Sequence, residues 1–455
     1  MRNHITVIGG GLAGSEAAWA AASRGATVTL YEMRPTKMTP AHRSDRLAEL
    51  VCSNSLKSAL LTNAAGLLKE EMRRLGSVVV AAAGMSAVPA GEALAVDPEA
   101  FAAAVTERLA ACDRITVVRE EVQALPVDRP VVIATGPLTS EPMTAALAEL
   151  TGEESLHFFD AVAPTVALES LDMDRVFRAS RRGRGLSAEA EAGETLGDYI
   201  NCPMTREEYE AFYDALIHAE IADPHLASEK DAPYFEACIP VEVMARRGPR
   251  TLAFGPMRPV GLTDPRTGRR PYAVVQLRQE NRQGTLWGLV GFQTRLKWGE
   301  QRRVFRMIPG LEHAEFVRYG VMHRNTYLNS PRALEPTAQT RHDRGVFVAG
   351  QLAGVEGYVE SAALGILAGL NAARLASGLQ PLVPPAETVL GSLCRYIIEA
   401  DPRSFAPMNA NHGLLPPLVP RPRDRRERGQ AYAERSLAAL DAWIRENAIP
   451  TEGVV

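Results

Sequence analysis

The hydrophobic positions near the start of the chain fall into runs that favour strands and one alanine-rich run that favours a helix. Residues 4–9 form a short apolar run, residues 14–24 are rich in alanine, and residues 26–32 read ATVTLYE. Short apolar runs beside glycine predict buried strands, and alanine has the highest helix propensity. The chain therefore begins with a predicted strand, turn, helix and second strand, as α/β proteins do.

The same kind of pattern continues to about residue 150. Residues 66–75 favour a helix, Asp97 followed by proline is typical of a helix start, and residues 115–119 and 131–134 favour strands. The helix after Asp97 places Cys112 on its apolar face. We therefore predict that this thiol lies in the core.

After residue 150 the pattern changes. Thr205 and Glu208 form a capping box in front of a predicted helix, and residues 272–277 and 285–292 alternate like two antiparallel strands. This middle region is predicted to be a separate α+β domain.

The α/β pattern returns with VFVAG at 346–350 and a helix of small residues over 360–374. Beyond the proline-rich segment 380–385, the tail is predicted to be helical, with Cys394 on an apolar face. We predict one discontinuous domain with a helical tail and one inserted α+β domain, over residues 1–150 with 331–455 and 151–330, respectively.

Composition sets the class of protein. The 455-residue chain is 46% hydrophobic and 23% charged, a balance typical of soluble globular proteins with two or more domains. Five irregularly spaced cysteines predict no disulfide framework and no metal site, which fits a reducing cytoplasm. The N-terminus lacks a signal-peptide pattern, and the uncharged run 361–373 is predicted to be too short to span a bilayer. We expect a cytoplasmic protein without membrane association.

The charged residues give opposing indications about nucleic-acid binding. The net charge of −4 argues against a generally basic RNA-binding protein, but arginine outnumbers lysine 45 to 5. Arginine binds phosphate in a bidentate way, whereas a high arginine content can also reflect genome composition. The possible RNA contacts form two clusters, which could equally be solvated faces: Arg175, Arg178, Arg181, Arg182 and Arg184; and Arg421, Arg423, Arg425, Arg426 and Arg428.

A glycine pattern between the first predicted strand and helix indicates a dinucleotide site. Such glycines permit a tight turn and let the backbone approach a diphosphate, which then lies at the helix N-terminus. Glu32 ends the second strand, where an acid accepts the adenosine ribose hydroxyls. The predicted site comprises Gly9, Gly10, Gly11, Leu12, Ala13, Gly14 and Glu32.

Two later segments favour FAD over NAD. VVIATGP at 131–137 and VFVAG at 346–350 resemble the strands by which glutathione-reductase-like flavoproteins return to their FAD domain. This adds Gly136 and Gly350 to the predicted cofactor site, whereas a dehydrogenase using NAD alone would not need the late segment. The predicted fold is therefore α/β, with a discontinuous Rossmann-type FAD-binding domain of the glutathione-reductase-like class. No second glycine pattern follows a strand, so NADH or NADPH is expected to dock transiently.

Cys52 lies in a polar, turn-like stretch soon after the glycine turn. Flavin disulfide reductases place a redox cysteine at this distance, but with a second cysteine close behind, and here the next one is Cys112. A lone thiol suits nucleophilic chemistry better than disulfide exchange. For Cys202 and Cys238, a structural role is the default reading of the local sequence.

The segment 319–329 leads back toward the predicted flavin domain. It contains residues that can stack on or hydrogen-bond to planar ligands, or that can simply form a polar crossover: His323, Arg324, Asn325 and Tyr327. These are the substrate-side candidates.

Together these motifs resemble the folate- and FAD-dependent tRNA (uracil-5-)-methyltransferase family, TrmFO. The resemblance rests on GGGLAGSEAAW, ELVCSNSL, VPAGEALAVD, FEACIPVE, VVQLRQE, YGVMHRNTYLNSP and AGQLAGVEGYVESAA, and it covers nearly the whole chain. The tail beyond about residue 415 is less distinctive. The related GidA-like proteins carry an extended helical C-terminal domain that this sequence is too short to contain.

The resemblance implies methylation of C5 of the T-loop uridine of tRNA. The carbon would come from 5,10-methylenetetrahydrofolate and the electrons from reduced FAD, renewed by NADH or NADPH. It places the two functional cysteines at Cys52 and Cys238. Our hypothesis is that Cys238 adds to uracil C6, while Cys52 serves the methylene stage or removes the C5 proton; the reverse assignment stays open. Two alternatives are an NAD(P)H:FAD oxidoreductase acting on a small molecule and a noncatalytic flavin-containing RNA-binding protein.

Overall fold

A computed structural model describes residues 3–39, 41–152, 156–161, 163–181, 197–222, 239–281, 283–320, 322–403 and 405–451, with only the backbone for 156–161 and 322–325. Its strands are β1 (His4–Ile8), β2 (Thr27–Tyr31), β3 (Ser55–Ser58), β4 (Ala87–Val88), β5 (Ala93–Val96), β6 (Ile115–Val118), β7 (Val131–Ile133), β8 (Leu156–Ala161), β9 (Thr165–Ala167), β10 (Phe177–Arg178), β11 (Tyr199–Met204), β12 (Ala273–Gln279), β13 (Leu286–Leu289), β14 (Phe316–Arg318), β15 (Met322–Tyr327) and β16 (Val346–Val348). Its helices are α1 (Leu12–Ala22), α2 (Ala64–Arg74), α3 (Val78–Met85), α4 (Pro98–Ala110), α5 (Glu141–Thr151), α6 (Arg206–Ile217), α7 (Val241–Ala245), α8 (Thr251–Phe254), α9 (Trp298–Phe305), α10 (Ser330–Ala333), α11 (Tyr358–Ala376), α12 (Val389–Glu399) and α13 (Arg425–Glu446).

A parallel five-stranded sheet organises the two ends of the chain. Its order is β16-β7-β1-β2-β6, and all neighbouring strands run parallel. Val7 of β1 pairs with Leu30 on one side and Val132 on the other, and all three side chains are fully buried. Parallel strands that are covered on both faces have continuous apolar sequences, and for this reason these strands could be predicted from the sequence. The late strand β16 completes this sheet, so the predicted discontinuous α/β fold is confirmed.

Helices α1 and α11 pack directly on each other. A side chain at Gly365 would overlap the Ala13 carbonyl oxygen, and one at Gly369 would overlap that of Ala17. In the described part of the chain, α11 is also the single helix long and apolar enough to cross a membrane, and 83% of its most apolar window is buried. The uncharged stretch that was predicted to be too short to span a bilayer lies within this helix, which extends beyond it at both ends. Its burial is that of a core helix.

The inserted region has its own sheet and hydrophobic core. The sheet is antiparallel, in the order β10-β11-β12-β13-β9-β14, and its core includes Phe212, Trp287 and Phe305. The predicted capping box is confirmed, since the Thr205 hydroxyl accepts from the Glu208 N–H and the Glu208 carboxylate accepts from the Thr205 N–H. A two-stranded ribbon, β8 with β15, lies where the chain enters and leaves this region.

The tail helices pack on α2 through a buried carboxylate. Glu71 of α2 accepts hydrogen bonds from the backbone N–H groups of Val389 and Leu390 at the start of α12, and from the Ser436 hydroxyl of α13. Cys112 and Cys394 are both buried, as predicted. The small antiparallel sheet β3-β5-β4 and helix α3 were not predicted from the sequence.

Candidate functional site

One cavity of about 410 Å³ lies where the parallel sheet, the Cys52 loop and the inserted sheet meet. This volume is within the range of about 300–1,000 Å³ common for small-molecule sites. Of the predicted cofactor residues, all but Gly14 line it: Gly9, Gly10, Gly11, Leu12, Ala13, Glu32, Gly136 and Gly350. The inserted region contributes Arg278, Glu280 and Arg318 to the opposite wall.

The glycine turn is held tightly against its surroundings. A side chain at Gly9 would overlap the Ala134 carbonyl oxygen at the end of β7, and one at Gly14 would overlap the Gly9 carbonyl oxygen. A side chain at Gly11 would meet nothing within 4 Å, so this position faces open space. The first turn of α1 has no side-chain cap, which leaves its N–H groups for a ligand at the cavity. Such a helix start suits a diphosphate.

Glu32 already has protein partners. Its Oε1 accepts from the Arg34 N–H at 3.0 Å and from Arg34 Nε at 2.9 Å, while Oε2 accepts from the Gly10 N–H at 2.9 Å and from Arg34 Nη2 at 3.2 Å. Burial raises the pKa of Glu32, but the hydrogen bonds and charge of Arg34 outweigh it, so the pKa lies below its usual value. A ribose hydroxyl would have to share these oxygens, because a carboxylate accepts about four hydrogen bonds.

A second helix start reaches the cavity. Gly357 precedes α11 at a φ of +115°, and Glu356, Gly357 and Tyr358 line the wall. Lys57, also in the wall, lies 2.7 Å from Glu360 Oε1, and the Glu360 side chain is fully buried. Lys57 has a left-handed φ of +63°, uncommon outside glycine. The ion pair fixes the position of the Lys57 side chain in the cavity wall.

Cys52 is bonded to Tyr358. The Tyr358 hydroxyl oxygen accepts from the Cys52 N–H at 2.8 Å and from the Ser53 N–H at 3.3 Å, and it lies 2.9 Å from Cys52 Sγ. Burial, together with the nearby Cys52, raises the pKa of Tyr358 well above 10, so the hydroxyl stays protonated. Since a hydroxyl has two lone pairs and one proton, the remaining proton points at Sγ. A donor at sulfur favours the thiolate.

Arg278 ties the Cys52 loop to the inserted sheet. Its Nε donates to Asn54 Oδ1 and its Nη2 donates to Ser53 Oγ, both at 2.9 Å. Asn54 in turn donates to the Gln279 carbonyl oxygen at 2.9 Å. Burial lowers the pKa of Arg278, with Glu280 and Cys52 opposing it. A guanidinium beside a cysteine favours the nucleophilic form of the thiol.

Most of the other predicted site residues have side chains outside the described part of the structure, and the one that is fully described lies away from the cavity. Cys238 lies outside the described residues, and so do the side chains of His323, Arg324 and Asn325, whose backbone forms β15. Tyr327 is buried in the core of the α/β domain, where its hydroxyl donates to the Phe405 carbonyl oxygen at 3.2 Å. Tyr327 does not line the cavity. Among the described residues, no cluster of His, Cys, Asp or Glu could hold a metal ion.

The three described arginines of the first cluster each have separate partners. Arg175 pairs with Glu208 and Glu312, Arg178 lies over the Trp287 ring, and Arg181 donates to Gln276. Arg182 and Arg184 lie outside the described residues. In the second cluster, four arginines are exposed and the fifth is half-buried: Arg421, Arg423, Arg425 and Arg426, with Arg428.

Sequence reasoning did not single out Tyr358, Arg278, Arg34 or Lys57. Tyr358 and Arg278 lie in the quoted segments AGQLAGVEGYVESAA and VVQLRQE, but nothing local connects either to Cys52. Arg34 Nε lies 2.9 Å from Glu32 Oε1, and the separation of the two positions by a single residue at a strand end was the one available signal.

Comparison with known proteins gives a coherent result. A sequence model of the family described as glucose inhibited division protein A matches residues 4–380. A protein of Desulforudis audaxviator is 60% identical over 98% of this chain and 99% of its own length, and one of Symbiobacterium thermophilum is 61% identical over 97% of each. Both are named methylenetetrahydrofolate–tRNA-(uracil-5-)-methyltransferase TrmFO. The structure of Aquifex aeolicus GidA in its form II crystal matches with a TM-score of 0.67 at 18% identity, covering 87% of this chain and 67% of that one. This structural likeness concerns the fold.

Proposed function

The chain belongs to the glucose inhibited division protein A family, and we propose that it is a folate- and FAD-dependent tRNA (uracil-5-)-methyltransferase. Relatives with this enzyme's name match it at 60% and 61% identity over almost its entire length. At the site, the supporting observation is the position of Cys52 in the wall of the cavity that also contains the glycine turn. A thiol in this position suits nucleophilic chemistry beside a redox cofactor.

The described residues fit FAD. The uncapped start of α1 and the open face of Gly11 suit the diphosphate, Glu32 and Arg34 lie where the adenosine would be held, and Gly136 and Gly350 line the remaining wall. When bound, reduced FAD supplies the hydride that converts a methylene carbon to a methyl group. The carbon donor in this proposal is 5,10-methylenetetrahydrofolate.

The chain's own task is to activate uracil. C5 of uracil is a weak nucleophile until a group adds at C6, and a thiolate is suited to that addition. We assign the addition to Cys238 and give Cys52 the methylene stage or removal of the C5 proton, with the reverse assignment as the alternative. Tyr358 and Arg278 act on Cys52 as positioning residues, since both hold its loop and favour the thiolate.

The substrate in this proposal is the T-loop uridine of tRNA. A base in that loop must leave its stack to enter the cavity, at a cost of about a few kcal/mol. His323, Arg324 and Asn325 remain proposed substrate contacts, and the exposed arginines near the start of α13 are proposed phosphate contacts. We do not extend this role to Tyr327, because its hydroxyl bonds to the core.

Further features complete the proposal. NADH or NADPH renews the reduced flavin by transient docking, and the protein works in the cytoplasm. The division into residues 1–150 with 331–455 and residues 151–330 is supported by two separate hydrophobic cores, one drawn from both chain ends and one from the middle.

A labelling experiment tests the function. The purified protein is incubated with unmodified tRNA, NADPH and methylenetetrahydrofolate labelled at the methylene carbon. We expect label in the tRNA as 5-methyluridine. Oxidation of NADPH without label in RNA would instead indicate a small-molecule oxidoreductase, and RNA binding with neither reaction would indicate a noncatalytic flavoprotein.

A further inference from the structure

A ladder of three aromatic rings rises from the core of the inserted region to its surface. Tyr319 stacks between Phe316 and Trp298, with ring centroids 5.5 Å apart on each side and interplanar angles of 15° and 14°. Phe316 in turn contacts the fully buried Phe305. The outermost ring, Trp298, is 62% exposed. The indole is therefore stacked with Tyr319 while most of its surface is open to solvent.

The ladder is held rigid from below. The buried Gln301 side chain donates to the Gly320 carbonyl oxygen and accepts from the Gly320 N–H, both at 2.8 Å. These bonds fix α9, which carries Trp298, to the backbone next to Tyr319. A fixed aromatic face loses little conformational freedom when a ligand stacks on it.

A guanidinium lies beside the ladder. Arg302 donates to the Tyr319 hydroxyl through Nε at 3.1 Å and Nη2 at 2.8 Å. Neighbouring cations are neutralised, since Lys297 pairs with Glu220 and Arg303 pairs with Glu300. Within the described residues, no carboxylate lies at ion-pair distance from Arg302, which is exposed. Arginine in this state suits a phosphate.

The ladder adjoins the cavity. Phe316 and Arg318 belong to the same short strand, β14, and Arg318 lines the cavity, where it bonds to Glu280. We propose that Trp298, Tyr319 and Arg302 form a docking surface for a single-stranded part of the RNA substrate, with a nucleobase stacked on Trp298 and a phosphate on Arg302. This inference rests on the proposed function, because it names where that function's tRNA is held. An exposed indole beside a guanidinium that has no carboxylate partner in the described residues matches a base and its phosphate.

Trp298→Ala in the flavin-loaded, full-length protein tests the proposal. The dissociation constant for an unmodified tRNA transcript is measured by filter binding, and KM and kcat by methylation. Loss of one base stack predicts a dissociation constant and KM raised by about 5- to 100-fold, with the loss expressed in KM rather than kcat. Trp298→Phe should recover most of the affinity, since it keeps an aromatic face. Arg302→Gln should weaken binding and reduce its salt dependence by about one phosphate contact.

Phe254→Ala provides the matched control. Phe254 is an exposed aromatic residue with Arg250 beside its ring, but it lies outside the ladder and the cavity wall. This variant should bind and methylate tRNA like the parent. The proposal is overturned if Trp298→Ala binds tRNA within twofold of the parent, or if Phe254→Ala weakens tRNA binding as much as Trp298→Ala does. It is also overturned if Trp298→Ala leaves tRNA binding intact and abolishes only the association of this protein with another protein. If the parent binds and methylates tRNA and Trp298→Ala does so equally well, only the proposed docking surface is contradicted. If the parent neither binds nor methylates tRNA, the proposed function is contradicted as well.

Discussion

The Tyr358 hydroxyl oxygen lies 2.9 Å from Cys52 Sγ, although the two residues are separated by 306 positions in the chain. Tyr358 begins α11, which packs on α1, and Cys52 lies in the loop before β3. The contact therefore joins the late helix of the α/β domain to the loop that carries the thiol. It places a protonated donor beside the sulfur at the edge of the cavity.

Tyr358→Phe should slow methylation by about 10- to 100-fold while FAD stays bound. The variant removes the O–H that donates to sulfur, and a hydrogen bond to a charged group is worth about 1.5–3 kcal/mol. The rise of the single-turnover rate with pH should also move to higher pH, because the thiolate loses a donor. Tyr396→Phe is the control, since Tyr396 bonds to the Ala406 carbonyl oxygen away from the cavity. An unchanged pH profile in Tyr358→Phe would contradict this role.

Arg278→Lys should lower the methylation rate by about 10-fold. Arg278 holds Asn54 and Ser53 with two nitrogens, and a lysine ammonium cannot reproduce that fork. Arg278→Met removes the charge as well and should be slower still. Steady-state rates and thermal stability are compared with Arg175→Lys, an exposed ion-paired residue. If Arg278→Lys keeps full activity and Arg278→Met does not, charge rather than positioning is what matters.

The two proposed thiols can be told apart with a tRNA carrying 5-fluorouridine at the target. A nucleophile that adds at C6 leaves a covalent RNA–protein adduct when the C5 position cannot lose fluorine. We expect Cys52→Ala to retain the adduct and Cys238→Ala to lose it, as seen by denaturing gel electrophoresis. Cys112→Ala, at a buried thiol away from the cavity, should behave like the parent. The opposite pattern for Cys52 and Cys238 would reverse the assignment.

Two glycines of the same turn should respond differently to alanine. Gly14→Ala would overlap the Gly9 carbonyl oxygen, and such overpacking typically costs about 1–3 kcal/mol or more, so the apoprotein should melt earlier and lose FAD. Gly11→Ala meets nothing within 4 Å in the protein, so the apoprotein should melt normally. Its FAD affinity should nevertheless fall if the diphosphate lies against this position. Calorimetry of the apoprotein and FAD titration separate the two effects.

Glu71 should make stability depend on pH. Burial raises the pKa of Glu71 to about 7, despite the hydrogen bonds from Ser436, Leu390 and Val389. The folded state then binds more protons than the unfolded state between the ordinary glutamate pKa of 4.5 and about 7, so this group lowers the free energy of unfolding as pH rises through that window. Below this pH window Glu71 is protonated in both states and does not lower the free energy of unfolding. Above the window the decrease in the free energy of unfolding stays constant.

Glu71→Gln therefore provides the comparison. The difference in unfolding free energy between parent and variant should change with pH between about 4.5 and 7, in the direction of a less stable parent at higher pH. Ser436→Ala keeps the carboxyl group and should keep the pH dependence. Denaturant unfolding at several pH values measures the effect, and parallel curves for parent and Glu71→Gln would show that Glu71 does not titrate in this window.

Much of the fold could be read from local patterns. The strands around Val7 and Val132 are apolar throughout because both faces of a parallel sheet are covered. The capping box at Thr205 and the buried faces containing Cys112 and Cys394 followed from side-chain chemistry and helical period. The strands β3, β4 and β5 were missed because segments of two to four residues are too short to display a period.

Local sequence patterns were enough to identify the glycine turn at Gly9, the helical and strand periods, and a thiol at Cys52 with no second cysteine close behind it in the sequence. The surroundings of that thiol depend on the tertiary structure. Tyr358 reaches it because α11 packs on α1, and Arg278 reaches it because β12 ends beside the Cys52 loop. Periodicity encodes which face of an element is buried, but it carries no information on which distant element covers that face. Contacts across hundreds of residues are set by which elements pack together in the folded chain.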